Sequence, residues 1–122
     1  MPTTAIHTPV AHRNEVVVTG RLSAPPVAKH LPSGDEIVTW RLVVERPQRA
    51  GRSGFDTVNC VAYTARVRRR AVSWDKDDVI EVTGALRRRF WRGPVGPQNA
   101  YAVEVATAAR CSGTVKRPRK TE

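Results

Sequence analysis

Cysteine is scarce in this chain: Cys60 and Cys111 are the only two among 122 residues. Two thiols make neither a metal quartet nor the disulfide framework of a small secreted domain. Histidine is as sparse. His7, His12 and His30 are scattered, with no Cys or carboxylate at ligand spacing, so no metal site is expected. Acidic residues are few, 11 against 21 Lys and Arg. Their one cluster, Asp75, Asp77 and Asp78, reads as the turn that ends a helix. A Gly-rich phosphate cradle, a Ser/His/Asp arrangement and a matched carboxylate pair are all missing, so neither an enzyme nor a cofactor is expected. No stretch is apolar enough to span a bilayer, and the N-terminus lacks the charged-then-apolar layout of a secretory signal. The expected compartment is the cytoplasm.

What the chain does have is positive charge. A formal net charge of +10 attracts polyanions and speeds their association, without choosing among DNA, RNA, heparin and membrane. Arginine dominates the basic set, which favours bidentate phosphate contacts and stacking over bulk charge. The length fits one domain with short tails.

Met1 to Arg13 carries Thr, Pro and His without apolar periodicity and reads as a flexible arm, 1–13. From Asn14 the pattern becomes period two. Val16, Val18 and Leu22 alternate with Glu15, Thr19 and Arg21, which predicts a strand. Gly20 inside it predicts a bulge or a sharp bend. Ala24-Pro25-Pro26 interrupts the ladder, because proline has no amide hydrogen to donate, and Val27 to His30 resumes it. A second strand runs from Glu36 to about Arg46, with Val38, Trp40, Leu42 and Val44 on one face. Pro47 to Gly54 is polar and reads as an exposed hairpin loop. The third strand, Phe55 to Tyr63, sets Val58, Cys60 and Ala62 inward, opposite Phe55, Thr57, Asn59, Val61 and Tyr63.

The period then shifts. Val67, Ala71 and Trp74 form an apolar stripe on one short helix, with Arg66, Arg68, Arg69 and Arg70 around it as a solvated face. Val79 to Trp91 is a fourth strand in which Leu86 is the last inward residue. Gly93 to Pro97 is a loop, Asn99 to Ala108 a fifth strand ending near Arg110, and 112–122 a basic disordered tail. Three strands, a helix and two strands are the order of an all-β, five-stranded Greek-key OB-fold barrel over 14–111.

The fourth strand ends in Gly84-Ala85-Leu86-Arg87-Arg88-Arg89-Phe90-Trp91-Arg92. Guanidinium groups neutralise phosphates, while Trp or Phe rings give unpaired bases a surface to stack on. Basic and aromatic side chains alternating on one strand therefore suit single-stranded nucleic acid.

From Asn14 to about Arg110 the chain resembles bacterial single-stranded DNA-binding proteins. Asn14-Glu15-Val16-Val17-Val18-Thr19-Gly20-Arg21-Leu22 is similar to the family's Asn-x-Val-x-Leu-x-Gly-Arg-Leu opening, with Pro25 or Pro26 where the family has Asp-Pro. Val38 to Arg46 is similar to its Val-x-x-Phe-x-Leu-Ala-x-x-Arg segment. Val82-Thr83-Gly84-Ala85-Leu86-Arg87-Arg88-Arg89-Phe90-Trp91 is similar to its Val-x-Gly-x-Leu-x-x-Arg-x-Trp signature, and Tyr101 to Val105 completes the set. The resemblance implies an OB-fold assembled as a homotetramer around which single-stranded DNA wraps. It also implies association with the nucleoid and protection of unpaired DNA in replication, recombination and repair.

Two departures stand out. A stacking Trp common near the start of the third strand is Thr57 here, with Phe55 two residues away on the same face. The chain ends in Lys116-Arg117-Pro118-Arg119-Lys120-Thr121-Glu122 rather than an acidic, Phe-capped tip. That end argues against recruiting repair enzymes by charge, and points to an accessory paralogue or a phage or plasmid version.

The expected stacking residues are Trp91, Tyr63, Phe55 and Tyr101. Arg21, Arg41, Arg87, Arg89 and Arg92 are the expected phosphate contacts. Phe90 fits core and ligand equally, and Trp40, Trp74 and Cys60 read as core. The alternative function is an OB-fold primosome component or an RNA-binding protein, because nothing in the sequence reads the 2′-hydroxyl.

Overall fold

The computed structural model describes residues 8–47 and 54–111, with Trp91 and Arg92 described by backbone alone. The expected tail at 112–122 and the first seven residues of the expected arm lie outside the described residues. Residues 8–15 form no helix or strand. The elements are β1 (Val16–Leu22), β2 (Val27–His30), β3 (Glu36–Glu45), β4 (Phe55–Ala62), α1 (Ala65–Ala71), β5 (Val79–Gly93) and β6 (Gly96–Arg110). Six strands stand where five were expected because the Pro25-Pro26 break separates β2 from β1. β2 is a four-residue edge strand paired with β3 from Val27↔Thr39 to His30↔Glu36.

The sheet runs β1-β5-β6-β4-β3-β2 and closes on itself where β1 also pairs with β3. β1 is antiparallel to β5 from Val16↔Gly84 to Arg21↔Val79, and its last residues switch to β3 through Arg21↔Val43 and Leu22↔Leu42. Pairing between β4 and β6 is parallel, at Cys60↔Val103 and Val61↔Glu104. The result is a Greek-key OB barrel. Closure removes most of the free strand edge that an open sheet would expose.

Inward residues follow the period of two. Leu22, Val38, Trp40, Leu42, Cys60, Ile80, Val82 and Val103 are buried in one cluster. Each Val, Leu or Ile so buried contributes about 1.5–3 kcal/mol. Trp40 and Trp74 meet edge to face, with centroids 5.1 Å apart and planes at 87°. Trp74 is not on the helix, as its spacing predicted: α1 ends at Ala71, and Trp74 enters the core from the turn beyond it. Thr64 caps α1, its hydroxyl accepting from the Val67 amide at 3.5 Å. Only Val67 and Ala71 of the helix are buried.

Four expectations along the strands are corrected. Gly20 makes no bulge, its ladder to β5 being unbroken, and stands where β1 passes from β5 to β3; the one register shift between β5 and β6 falls at Thr83/Gly84. Gly93 to Pro97 is no loop, because Arg92↔Pro97 and Gly93↔Gly96 are paired and only Pro94 and Val95 turn the chain. The φ of +118° at Gly96 makes that tight turn possible. Leu86 shares the inward face with its partner Val103 but is 45% exposed, because β5 has left the barrel by that point. Val61, expected on the solvent side, is on the outer face but buried beneath Ile37, Ala102 and Leu31.

β5 and β6 thus form a fifteen-residue pair whose far half projects as an arm. Asn14 fixes the arm where it leaves the barrel. Its Nδ2 donates to the Leu86 carbonyl at 2.8 Å and its Oδ1 accepts from the Leu86 amide at 2.9 Å, extending the β1–β5 ladder by a side chain. At the opposite end, Arg46 donates to Asp56 from Nε and Nη2 at 3.0 and 2.7 Å. Those hydrogen bonds hold the Asp56 carboxyl below the usual carboxylate range.

Burial pushes the Cys60 thiol up from its ordinary 9.0 to about 12, while Cys111 is exposed. A thiol reagent at neutral pH is therefore expected to label Cys111 in the native protein and Cys60 only on unfolding. The sign for stability follows. The folded state holds the Cys60 proton more tightly, so this contribution is intact below pH 9 and is lost as pH rises toward 12. Urea melts at neutral and alkaline pH, repeated on Cys60→Ala, isolate it.

Candidate nucleic-acid interface

Residues directly opposed in a ladder share one face of the sheet. The register therefore sorts the outer face without further assumption. β3 contributes Ile37, Thr39, Arg41, Val43 and Glu45; β4 contributes Val61, Asn59, Thr57 and Phe55 opposite the last four. Val27 and Lys29 of β2 pair with Thr39 and Ile37. On the arm, Arg87↔Ala102 and Arg89↔Ala100 continue the same face.

Val27, Lys29, Thr39, Arg41, Asn59 and Arg89 are among the residues that enclose a groove of about 550 Å³. Ile37 and Ala102, both buried, give it an apolar floor. Lys29, Arg41 and Arg89 line it, with Thr39 and Asn59 between them, and no Asp or Glu does. Arg41 is held by a neutral partner, its Nε donating to Asn59 Oδ1 at 3.2 Å. Its charge is left for a ligand.

The other expected phosphate contacts differ. Arg87 shares the face, but its Nε lies 2.8 Å from Glu104 Oε1, so its charge is partly neutralised. Arg21 is exposed at the end of β1, 3.4 Å from Asp77 Oδ1, and does not line the groove. Trp91 and Arg92 pair along the backbone with Gln98 and Pro97 at the tip of the arm. Their side chains lie outside the described part of the structure.

The expected stacking rings are not gathered in one place. Phe55 (56% exposed) begins β4 and Tyr63 (40% exposed) immediately follows its last residue; about 26 Å apart along extended chain, they flank the groove instead of lining it. Tyr101 borders the groove, yet it is opposed by Arg88, which puts its ring on the reverse face of the arm from Arg87 and Arg89.

The helix arginines are less solvated than expected. Arg68 bonds Glu36 Oε1 at 2.7 Å and the Tyr63 carbonyl at 3.1 Å, and Arg70 donates to the Ala108 carbonyl at 3.1 Å. Asp75, Asp77 and Asp78 form a hydrogen-bonded turn: the Asp75 amide donates to Asp78 Oδ2 at 2.8 Å. Among the described residues no three His, Cys, Asp or Glu come together to hold a metal ion.

Sequence reasoning missed Lys29, Thr39 and Asn59. The period of two put Thr39 and Asn59 outward, but only the β2–β3 and β3–β4 registers bring them alongside Arg41.

Fold and groove define the class, an OB barrel with a cation-lined outer face. The profile of the single-strand binding protein family matches residues 13–111, and the chain belongs to that family. Single-stranded DNA-binding protein 1 of Lactococcus lactis subsp. lactis (strain IL1403) is 31% identical over 94 residues, 75% of this chain and 62% of that protein. Single-stranded DNA-binding protein A of Bacillus subtilis (strain 168) is 30% identical over 94 residues, 75% of this chain and 54% of that protein. The match thus spans a little over half the length of these curated relatives. Among solved structures, a chain of a Plasmodium falciparum SSB complex with ssDNA superposes with a TM-score of 0.71 at 19% identity. It covers 86% of this chain and 100% of that one, a likeness of fold.

Proposed function

We propose that this protein binds single-stranded DNA with little sequence preference along the outer groove. The observation that carries the reading is a groove with three cationic side chains, an apolar floor and no carboxylate. Arg41 and Arg89 take phosphates there, joined by Arg87, Arg92 and, at the margin, Arg21. Bases stack on Trp91 at the tip of the arm and on Tyr63, Phe55 and Tyr101 around the groove. Stacking accepts any base, which is why sequence preference is weak. Family membership supports a homotetramer wrapped by the strand, and protection of unpaired DNA in replication, recombination and repair at the nucleoid. It also supports a binding protein rather than an enzyme.

Tryptophan fluorescence during titration with oligo-dT tests the reading, with duplex DNA and RNA of equal length as competitors. Trp40 and Trp74 are buried at 5% and 6% exposure, but Trp40 also lines the groove, so the same titration on Trp91→Phe separates quenching at Trp91 from quenching at Trp40. Quenching that survives moderate salt and both competitors supports the proposal. Equal binding of duplex without quenching sinks it, and preferential displacement by RNA moves the substrate to RNA.

Glu104 gives a sharper expectation. It holds Arg87 at 2.8 Å, so Glu104→Gln should free one more cation for a phosphate. Affinity for oligo-dT is expected to rise about fivefold at 0.1 M salt, with the salt slope steeper by about 0.7. Isothermal titration across a salt series measures both.

A further inference from the structure

Closure of the barrel leaves β2 with an open edge: it pairs with β3 alone, and all four of its residues are exposed. The Leu31 amide donates to the Asp35 carbonyl and the Gly34 amide to the Leu31 carbonyl, each at 2.8 Å. The backbone polar groups of Leu31 therefore point toward β3. In an antiparallel pair that direction alternates from residue to residue. Those of Lys29 and Val27 also point toward β3, while those of Ala28 and His30 point away, without a partner among the described residues. Two amides and two carbonyls are thus presented to an incoming strand, as in β-strand addition.

A cleft lies beside that edge. Ala28 and His30 share a face with Val38 and Glu36, on the side of the β2–β3 hairpin away from the groove. There α1 faces them across about 230 Å³, with Arg69 and the 62% exposed Val72 at its margin. A small-molecule pocket commonly has about 300–1,000 Å³, so this cleft suits one anchoring side chain. No aromatic ring is among its described lining residues, and bases would find nothing there to stack on.

Charge selects the rest of the ligand. Glu36, the only carboxylate among the described lining residues, already meets Arg68 at 2.7 Å and His30 at 3.8 Å. Lys29 and Arg69 line the cleft and make no ion pair among the described residues. A second copy of this chain, itself at net +10, is a poor source of the missing carboxylates. Its acidic cluster is spent on its own turn, Asp77 with Arg21 and Asp78 with Arg110.

We infer that β2 and the cleft behind it form a docking site for an extended acidic peptide of a partner protein. The peptide adds as a strand along Ala28 to His30, seats an apolar side chain beside Val72, and places carboxylates near Arg69 and Lys29. Residues opposed in a ladder share a face, so the peptide residues that bond Ala28 and His30 are those whose side chains enter the cleft. Lys29 is the one cation common to cleft and groove among the described residues, and the site does not depend on what fills the groove.

The probe is a fluorescein-labelled octapeptide of alternating leucine and aspartate, followed by anisotropy in about 0.15 M salt, where distant charges are screened. Arg69→Glu combined with Val72→Asp is expected to weaken its binding at least about tenfold. N-methylation of the leucine amides should do the same, because it removes the strand's bonds to β2. Arg41→Glu with Arg89→Glu, in the groove, should leave it within about twofold. Both altered α1-side residues are exposed, and circular dichroism checks the fold. On the unaltered protein, hydrogen exchange at the Ala28 and His30 amides should slow at least about tenfold when the peptide is added. Absence of binding overturns the inference. So does equal loss in the groove variant, undiminished affinity of the N-methylated peptide, or unchanged exchange at Ala28 and His30. A sedimentation coefficient that falls in the Arg69→Glu, Val72→Asp variant without peptide overturns it too, and would make the face a contact between copies.

Discussion

Reversing the two charges in the groove, Arg41→Glu with Arg89→Glu, is expected to weaken oligo-dT binding at least about 25-fold at 0.1 M salt. Two lost phosphate contacts account for that factor and lower the salt slope by about 1.4; the new carboxylates add repulsion. They would be the first acidic groups in a groove that now has none. Stability should change little, since Arg41 is exposed and its hydrogen-bond partner is the neutral Asn59. The control is Arg66→Glu with Arg69→Glu on α1, two exposed residues outside the groove. That pair changes net charge by the same amount, but at 0.1 M salt its field is screened over about 10 Å. Its effect should be several-fold smaller. Equal losses from the two pairs would mean that binding follows total charge and that the groove has no special part in it.

The arrangement of charge explains why a groove can be selective on a chain this basic. Arg46, Arg68 and Arg87 each meet a carboxylate within 2.8 Å, and Arg70 is tied to a backbone carbonyl. Exposed pairs of this kind add little stability, but each weakens its cation as a competitor for phosphate. Lys29, Arg41 and Arg89 line the groove with no such partner beside them among the described residues. A count of 21 basic residues overstates the surface on offer, and the location of the acidic residues decides where it lies.

That distribution was out of reach of the sequence, whereas much of the barrel was not. The inner face of β1, β3 and β4 is set by a period of two, so inward residues such as Leu42 and Cys60 could be read from the sequence. Trp74 was assigned correctly to the core from helical spacing although the helix stops at Ala71; the turn that follows continues the inward direction. Leu86 failed for a physical reason: parity tells which way a side chain points, and whether anything covers it depends on where the barrel ends. Val61 failed for the converse reason, its outer position being roofed by Ile37 of β3 and by Leu31 just beyond β2, both distant in sequence. The site was legible as a composition, Arg and aromatic residues on one strand. Its division into two faces, with Arg87 and Arg89 on one and Arg88, Phe90 and Tyr101 on the other, required the β5–β6 register.

Two motif glycines acquire a cause from the same ladders. A Cβ on Gly20 would lie 2.6 Å from the Val43 carbonyl oxygen, where β1 crosses from β5 to β3 and the two backbones nearly touch. Gly84 is tighter still. A Cβ there would overlap the Glu104 carbonyl oxygen, with the carbonyl carbon at 2.9 Å and Val105 Cα at 3.1 Å. The obstacle is backbone on every side, so no rotamer change relieves it. Gly84→Ala is expected to cost about 3 kcal/mol or more, a large value for one methyl group, because β5 and β6 must separate beside their register shift. Urea denaturation read by Trp40 and Trp74 fluorescence measures it. Gly34→Ala supplies the comparison: a Cβ there meets nothing, and only its φ of +95° resists, so about 1–2 kcal/mol is expected. The two variants should also part in binding. Gly84 sits at the root of the arm, two residues before the Asn14 clamp on Leu86. A shift there re-aims Arg87, Arg89 and the tip beyond them, so residual folded Gly84→Ala protein should bind oligo-dT more weakly than Gly34→Ala. If Gly84→Ala matched the unaltered protein in both stability and affinity, the close approach of β5 to β6 would be wrong, and with it the rigid arm on which the groove depends.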